Sequence, residues 1–221
     1  MRRRPAYLTN AQAAAVYDRI GRWQDTQAFY ESPAVEEMVR SGDFEQARSV
    51  VEVGCGTGAL AERLLSRHLP EDATYLGLDV SSHMVSLAGD RVRPWTDRAR
   101  IVGVDGHSPW PIEDHSCDRV VATYVLDLLS PEAIATFFAE SARVLRTDGM
   151  VAVTSLSPAD RGAAHLLSEA WMRLFSVDPR LTAGCRPLVL ADHLPAGWHT
   201  IHRDTFRAYG LRSSVLIASH S

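Results

Sequence analysis

The chain has 221 residues, of which 46% are hydrophobic and 23% are charged, and its formal net charge is −4. These values are ordinary for a globular protein, and the length suits a single α/β domain over residues 1–221. The charge argues against an overall nucleic-acid-binding surface, and we expect neither a membrane span nor a secretory signal.

The three cysteines, Cys55, Cys117 and Cys185, are widely spaced and odd in number. That spacing fits neither a zinc site nor a disulfide framework. We therefore expect reduced thiols in a cytoplasmic protein, with no bound metal.

Residues 1–48 are expected to form a helical cap over the open edge of a sheet. Several alanines between residues 11 and 15 favour a helix, and Tyr17 and Trp23 follow on one face. A second helix is predicted over residues 33–40, with Ser32 as its N-cap and Pro33 at its first position.

The stretch VVEVGCGTG, residues 50–58, predicts a buried strand that runs into a glycine-rich turn. The β-branched valines favour a parallel strand over residues 49–53, and leucines and alanines at helical spacing follow over residues 59–68. Three glycines in five residues let a ligand approach the backbone closely, and the helix behind them aims free N–H groups at it. A tight turn without a ligand would need only one glycine.

Further strands alternate with helices along the chain. A helix is expected after Ser81 or Ser82, and another from Ser130-Pro131 to about residue 145. Together with residues 49–53, the strands form a core over residues 49–157 and predict a doubly wound, mostly parallel sheet. The other four strands of this core are predicted at residues 74–78, 100–104, 119–124 and 150–155.

The last quarter of the chain changes its pattern. Residues 158–197 are expected to form a helical segment, with an amphipathic helix over 159–177 and a short helix over 188–194. Residues 198–221 hold two extended stretches, joined by a few residues around Gly210. So short a connection permits only an antiparallel pair, so we expect seven strands with the last one antiparallel.

Candidate site residues stand where the predicted strands end. Asp79 ends the second strand, Asp105-Gly106 the third, and Thr123-Tyr124 the fourth. In a doubly wound sheet, ligands bind outside the carboxyl ends of the strands, at the switch point. A carboxylate there can accept hydrogen bonds from a ribose diol or an adenine amino group. Taken alone, Asp79 is better explained as a turn or N-cap aspartate, and Asp105 is equally consistent with a plain turn residue.

These motifs, in this order, resemble the class I S-adenosylmethionine-dependent methyltransferases, specifically the small-molecule branch typified by quinone-ring methyltransferases. VVEVGCGTG is similar to the first motif of that family, and LGLDVSSHMVSLA to its second. The stretches VDGHSPWPIEDHSCDRVVATYVLDLLS and ARVLRTDGMVAVTS resemble the segments that follow. The similarity covers residues 48–157, and the terminal strand pair fits the antiparallel seventh strand of the family.

The resemblance implies S-adenosylmethionine as cofactor and S-adenosylhomocysteine as product. It places Asp79 at the ribose, Asp105 at the adenine amino group, and Thr123 near the amino-acid end of the cofactor. An N-terminal aromatic residue, Tyr17, would close over the cofactor. The other implied cofactor contacts are Glu52, Gly54, Cys55 and Gly56 in the first motif, Val80 and Met84 after the second strand, and Gly106 after the third.

Two departures from the family pattern matter. Asp148-Gly149 replaces a Pro-Gly-Gly turn, and Asp127-Leu128 stands where relatives often carry a histidine pair. No catalytic histidine is therefore transferred. Methyl transfer from a sulfonium is an in-line displacement that positioning can accelerate, and it needs a base only if the acceptor loses a proton. Tyr124 and Asp127 are the catalytic candidates by location, although core packing and a loop acid are the plainer interpretations.

The predicted function is methyl transfer to a small, apolar or aromatic molecule, by a monomer or homodimer that binds no nucleic acid. One alternative is a nicotinamide-dependent oxidoreductase, because Gly54, Gly56 and Ala59 fit a loose dinucleotide fingerprint. Another is a cofactor-binding interaction module without catalytic activity. The atom that receives the methyl group stays open.

Overall fold

The structure is a computed structural model that describes residues 7–9, 12, 15, 18, 28–107, 109–159, 163–182, 184–208 and 211–220. In these residues, seven strands form one sheet. The strands are β1 (Ser49–Val53), β2 (Thr74–Asp79), β3 (Ala99–Gly103), β4 (Cys117–Thr123), β5 (Leu145–Leu156), β6 (Trp198–Ala208) and β7 (Leu211–His220).

The strand order across the sheet is β3-β2-β1-β4-β5-β7-β6. Strands β1 to β5 pair in parallel, whereas β7 runs antiparallel to both β5 and β6. The order reverses between β1 and β4, which is where a doubly wound sheet opens a crevice. The predicted fold class, a doubly wound, mostly parallel sheet with an antiparallel final strand, is confirmed.

The helices cover the two faces of this sheet. They are α1 (Ala28–Ser41), α2 (Ala59–Arg67), α3 (Ser82–Arg91), α4 (Pro131–Val144) and α5 (Ala163–Val177), with 3₁₀ turns at Phe44–Gln46, Arg93–Trp95, Leu126–Leu128, Pro179–Thr182 and Leu190–His193. No helix in the described part of the chain has the length and hydropathy needed to cross a bilayer.

Two hydrophobic cores lie on opposite faces of the sheet, because neighbouring residues of a strand point to opposite sides. Val50 faces the core that contains α1 and α2, whereas Val51 faces the core that contains α4. Both valines are almost fully buried, as expected of a central parallel strand. The carboxyl end of β1 is therefore held rigidly from both sides.

The amino-terminal cap differs from its prediction. Pro33 lies inside α1 rather than at its first position, and Ser32 is not its N-cap. Ala34 and Met38 are fully buried on the helix face beyond Pro33. Their packing against β5, β7 and β6 offsets the hydrogen bond that proline cannot donate. Helix α1 thus lies on one face of the sheet rather than over its open edge.

Strand β5 also begins earlier than predicted. Leu145 already pairs with Cys117, and the register shifts between Cys117 and Arg119. The Asp148-Gly149 sequence, predicted as a turn before the strand, is accommodated within β5 by this irregularity. The short helix predicted over 188–194 is the 3₁₀ turn Leu190–His193. Gly210, at the predicted connection of the last two strands, lies outside the described residues.

Candidate functional site

A cavity of about 590 Å³ opens at the carboxyl ends of β1, β2 and β4 and beside the segment after β3. Its volume lies in the range of roughly 300–1,000 Å³ that small-molecule sites occupy. The strand ends contribute Gly54, Asp79, Gly106 and Thr123 to its wall. The structure therefore brings together residues that the sequence placed at four separate strand ends.

The glycine-rich turn is pinned to the neighbouring strand through its backbone. The N–H groups of Gly54 and Cys55 both donate to the Leu78 carbonyl, at 2.8 and 3.0 Å. Gly54 adopts φ +70°, and a Cβ atom there would lie 2.5 Å from Val125 Cγ2. Only glycine fits this position without displacing the segment after β4. The turn thus leaves a space beside its backbone, here called the glycine cradle, which a side chain at residue 54 would fill.

Asp79 is bound to the turn by hydrogen bonds. Its Oδ2 accepts the Gly56 N–H at 2.8 Å, and its Oδ1 accepts the Ser81 N–H at 2.9 Å. Burial raises the pKa of the Asp79 carboxyl, the backbone N–H groups of Ser81, Gly56 and Val80 oppose that rise, and the nearby Asp18 adds to it. The carboxylate keeps capacity for a further donor at the cavity wall, as a ribose hydroxyl would require.

The residues after β2 continue the wall. Val80 and Met84 line the cavity, and Met84 is buried. Ser81 caps α3 by accepting the Met84 N–H at 3.1 Å, and its hydroxyl donates to Asp18 at 2.5 Å. The predicted serine cap is thus Ser81, and it places an apolar surface next to Asp79.

Asp105 is not among the residues that line the cavity in the described part of the chain. Its side chain is exposed, and its Oδ1 accepts the His107 N–H at 2.8 Å within its own loop. Gly106 and His107 line the cavity instead. The predicted contact of Asp105 with an adenine amino group therefore stays a prediction that this geometry does not support.

Glu52 and Cys55 lie beneath the turn, and the cavity wall of the described residues does not include their side chains. Glu52 accepts a hydrogen bond from the Tyr75 hydroxyl. Burial raises the pKa of the Glu52 carboxyl to about 8, against the effect of that hydrogen bond. Burial likewise raises the pKa of the Cys55 thiol. The structure thus places both side chains as support for the turn.

Tyr124 leaves β4 in a left-handed conformation, with φ +54°. Its N–H donates to the Thr154 carbonyl at 2.9 Å, and its hydroxyl donates to Ser213 Oγ of β7 at 2.8 Å. Thr123 and Tyr124 both line the cavity. Holding a non-glycine residue in this conformation costs free energy. Residues strained in this way are common at functional sites.

Asp127 is fully buried and, unlike its neighbour Leu128, does not line the cavity in the described part of the chain. Neither of its side-chain oxygens makes a hydrogen bond of normal geometry to a described residue. Burial raises the pKa of the Asp127 carboxyl to about 7, while nearby backbone N–H groups and Arg186 oppose the rise. Asp127, which was predicted as a base, therefore has no direct access to a ligand in the cavity.

Some site residues escaped the sequence analysis. Leu8 lines the cavity although it lies far from the strand-end motifs, and Trp110 and residues on the first turns of α4 line it on another side. Trp110 lies between the third and fourth predicted strands and Leu8 in the predicted helical cap, so neither carried a signal of its own. Tyr17 lies outside the described residues, so its closure over the site stays a prediction.

These features define a class of site. A glycine-rich turn that leads into a helix, an acid at the end of the next strand, and a cavity at the switch point are together the arrangement with which Rossmann-like sheets bind nucleosides. In the described residues, no group of three or more histidines, cysteines or acids is placed to hold a metal ion.

Comparison with known proteins finds a methyltransferase domain in this chain. Residues 50–149 match the model of a methyltransferase domain. A malonyl-[acyl-carrier protein] O-methyltransferase of Marinomonas sp. is 29% identical over 164 residues, which are 74% of this chain and 57% of that protein. A tRNA N(3)-methylcytidine methyltransferase of Drosophila melanogaster is 25% identical over 126 residues, which are 56% of this chain and 39% of that protein. The chain thus spans about half the length of these curated relatives.

Among solved structures, the [4+2]-cyclase SpnF superposes with a TM-score of 0.71 at 18% identity, covering 97% of both chains. This likeness concerns the fold. The matched methyltransferase domain and these relatives support the family predicted from the motifs, the class I S-adenosylmethionine-dependent methyltransferases. S-adenosylmethionine is the cofactor of that family, and the open glycine cradle and the available Asp79 oxygens fit its methionine part and its ribose.

Proposed function

We propose that this protein binds S-adenosylmethionine across the ends of β4, β1, β2 and β3 and transfers its methyl group to a small, mainly apolar or aromatic acceptor. The observation that supports this most directly is a single cavity that joins the glycine turn and Asp79 to an apolar wall. The bound sulfonium supplies a carbon that is ready for in-line displacement, so the protein contributes mainly by positioning and by excluding water.

At the polar end of the cavity, Asp79 would hold the ribose hydroxyls, while Gly54 and Gly56 would leave room for the methionine part. Thr123 would lie near the amino group of that part. The base would lie against the apolar surface after β2. Each of these residues lines the cavity, which makes the assignment geometrically consistent.

At the acceptor end, Leu8, Val125 and Leu128 line the wall near Tyr124. An apolar wall favours an uncharged acceptor, because a charge placed there loses hydration without gaining a partner. In the described part of that wall, no arginine is present to neutralise a carboxylate. The acceptors named for the two curated relatives, a carrier-bound malonyl group and a tRNA base, are therefore not transferred to this chain.

Two residues remain candidates for orienting or deprotonating the acceptor. Tyr124 stands on the cavity wall, with its phenol held in place by Ser213. Asp127 has a carboxyl pKa suited to proton transfer near neutral pH, but it would act only after movement of the turn that carries Leu128. We propose Tyr124 as the residue that contacts the acceptor and keep Asp127 as the second candidate.

The experiment that tests the proposal is calorimetric titration of the purified protein with S-adenosylhomocysteine and, separately, with NADH. We expect the first to bind, and we expect Asp79→Asn to weaken it by about 10- to 100-fold through loss of charge-assisted hydrogen bonds. Asp72→Asn is the matched control, because Asp72 is an exposed partner of Arg48. Binding of NADH alone would overturn the proposal in favour of an oxidoreductase.

Turnover is tested separately by mass-spectrometric detection of S-adenosylhomocysteine formation. The panel of acceptors contains phenols, thiols, amines and carboxylates, each with and without an added charged group. Methylation of uncharged members supports the proposed acceptor class. Binding of the cofactor without turnover on any member would favour the interaction module instead.

A further inference from the structure

One acid on the cavity wall has no part in the proposed binding of the cofactor. Glu132 lies in the first turn of α4 and lines the cavity. Among the described residues of that wall, Asp79 is the only other acid, and neither lysine nor arginine is present. Because Asp79 is assigned to the ribose, Glu132 is the carboxylate that remains for an acceptor.

The side chain of Glu132 is held as an anion. Ser130 caps α4 by accepting the Ala133 N–H at 3.2 Å. A hydrogen bond between the Ser130 and Glu132 side chains lowers the pKa of the Glu132 carboxyl, and the backbone N–H of Glu132 lowers it further, against the weaker effect of burial. At neutral pH the cavity wall therefore carries a negative charge at this position.

Glu132 lies within reach of the acceptor end of the cavity. The wall follows the chain from Leu128 through Ser130 to Glu132. Leu128 belongs to the acceptor end, and the chain from there to Glu132 spans at most about 14 Å even when fully extended. A small acceptor that lies against Leu128 can therefore place its far end next to the Glu132 carboxylate.

The two ends of this wall act differently on a charged group. Leu8, Val125 and Leu128 have apolar side chains, so a charge placed among them loses hydration without gaining a partner. Glu132 is exposed, so a cation beside it keeps part of its hydration and gains an opposite charge. A carboxylate in the same place would be repelled. The cavity therefore favours a positive charge on the acceptor, and only at the Glu132 end.

We propose that Glu132 selects acceptors that carry a protonated amine at the end remote from the atom that is methylated. The inference rests on the proposed function and narrows its acceptor class. The apolar or aromatic body of the acceptor lies against the wall near Tyr124, and its ammonium group pairs with the Glu132 carboxylate. The amine is a recognition group and does not receive the methyl group.

The test measures the binding of three phenols to the full chain saturated with S-adenosylhomocysteine, by calorimetric titration at neutral pH. Tyramine, para-ethylphenol and para-hydroxyphenylpropionate share an aromatic body and end in an ammonium group, a methyl group and a carboxylate, respectively. We expect tyramine to bind the wild-type protein about three- to fivefold more tightly than para-ethylphenol, and the propionate to bind most weakly.

Two variants of Glu132 change this preference in a defined way. Glu132→Gln should bring the dissociation constants of tyramine and para-ethylphenol to within about twofold of each other, because the ion pair is lost. Glu132→Lys should make the propionate the tightest of the three ligands. Both variants should keep the wild-type affinity for S-adenosylhomocysteine, which shows that the cofactor site is intact.

Glu113→Gln is the matched control, because Glu113 is an exposed acid between β3 and β4 and is not on the described cavity wall. It removes the same charge and should leave the wild-type preference unchanged. The inference is overturned if the loaded wild-type protein binds tyramine no more tightly than para-ethylphenol, which includes binding of none of the phenols. It is also overturned if the control lowers the preference as much as Glu132→Gln does. Failure of S-adenosylhomocysteine to bind overturns the proposed function as well, whereas its binding without a preference for tyramine overturns only this inference.

Discussion

Gly54 and Asp79 belong to adjacent strand ends, and their roles are set by backbone conformation and hydrogen bonding. Gly54 needs a positive φ and has no space for a side chain, and Asp79 fixes the turn through the Gly56 N–H. The positive φ of Gly54 is a local requirement that makes a glycine there visible in the sequence, whereas the hydrogen bond of Asp79 joins two strand ends. Burial of Glu52 under the same turn is not local, because its partner Tyr75 comes from another strand.

Replacing Gly54 by alanine tests the cradle at the scale of one residue. The positive φ and the contact of the new Cβ with Val125 should lower the free energy of unfolding by about 1–3 kcal/mol and weaken the binding of S-adenosylhomocysteine. The measurements are urea unfolding and calorimetric titration.

Gly89→Ala is the control for that substitution. Gly89 lies in α3, and a Cβ there meets no heavy atom within 4 Å. Alanine should therefore raise the free energy of unfolding by about 0.5–1 kcal/mol, because it restricts the unfolded chain. If Gly54→Ala and Gly89→Ala had equal effects, the role of Gly54 in the glycine cradle would be refuted.

At the scale of elements, helix α4 and the segment after β3 form one unit. Arg143 lies at the centre of it, since it donates to Glu140 and Asp114 and to the carbonyl groups of Trp110 and Ile112. The pKa of the Glu140 carboxyl is lowered, chiefly by its hydrogen bond to Arg143. This clamp orders a loop for which the sequence predicted neither a helix nor a strand.

Arg143→Met should therefore lower the free energy of unfolding by about 1–3 kcal/mol and speed amide hydrogen exchange at Trp110. Arg93→Met serves for comparison, because Arg93 pairs with Asp90 at an exposed site. That ion pair should contribute less than about 1 kcal/mol. If Arg143→Met changed neither the free energy of unfolding nor the amide exchange at Trp110, Arg143 would not order this loop.

At the scale of the whole molecule, acids that are buried in the sheet and its two cores affect the free energy of unfolding. The pKa of Glu52 is about 8 in the folded protein, compared with an ordinary value of 4.5. Between these values the folded state binds more protons than the unfolded chain, so the free energy of unfolding falls as the pH rises through this interval. The contribution of Glu52 is fully present below pH 4.5 and is lost as the pH passes 8.

Glu52→Gln should remove that dependence while keeping an acceptor for the Tyr75 hydroxyl. The difference in unfolding free energy between the variant and the wild type should grow in favour of the variant from pH 4.5 to 8. It should reach a few kcal/mol, because one pKa unit corresponds to about 1.4 kcal/mol. Urea unfolding at several pH values measures it. Asp127→Asn should give a difference of the same sign that levels off near pH 7. A flat difference for both variants would contradict the raised pKa values of these buried acids.

Strand-helix alternation, the glycine turn and the antiparallel ending could be predicted from the sequence, because each depends on residues that are close along the chain. Periodicity identifies a buried strand, and a short connection allows only one pairing direction. The residues Gly54, Asp79 and Thr123 could be placed at one edge for the same reason, since parallel strands share their carboxyl ends.

Other features depend on which distant elements pack together. The start of β5 at Leu145 follows from its pairing with Cys117, and helix α1 continues through Pro33 because its far side is buried on the sheet. Asp127 is sealed from the cavity, Asp105 turns into its own loop, and Leu8 reaches the wall from the amino-terminal segment. Burial and side-chain orientation are properties of contacts between elements, and a linear pattern carries no information about the partner that a side chain will meet.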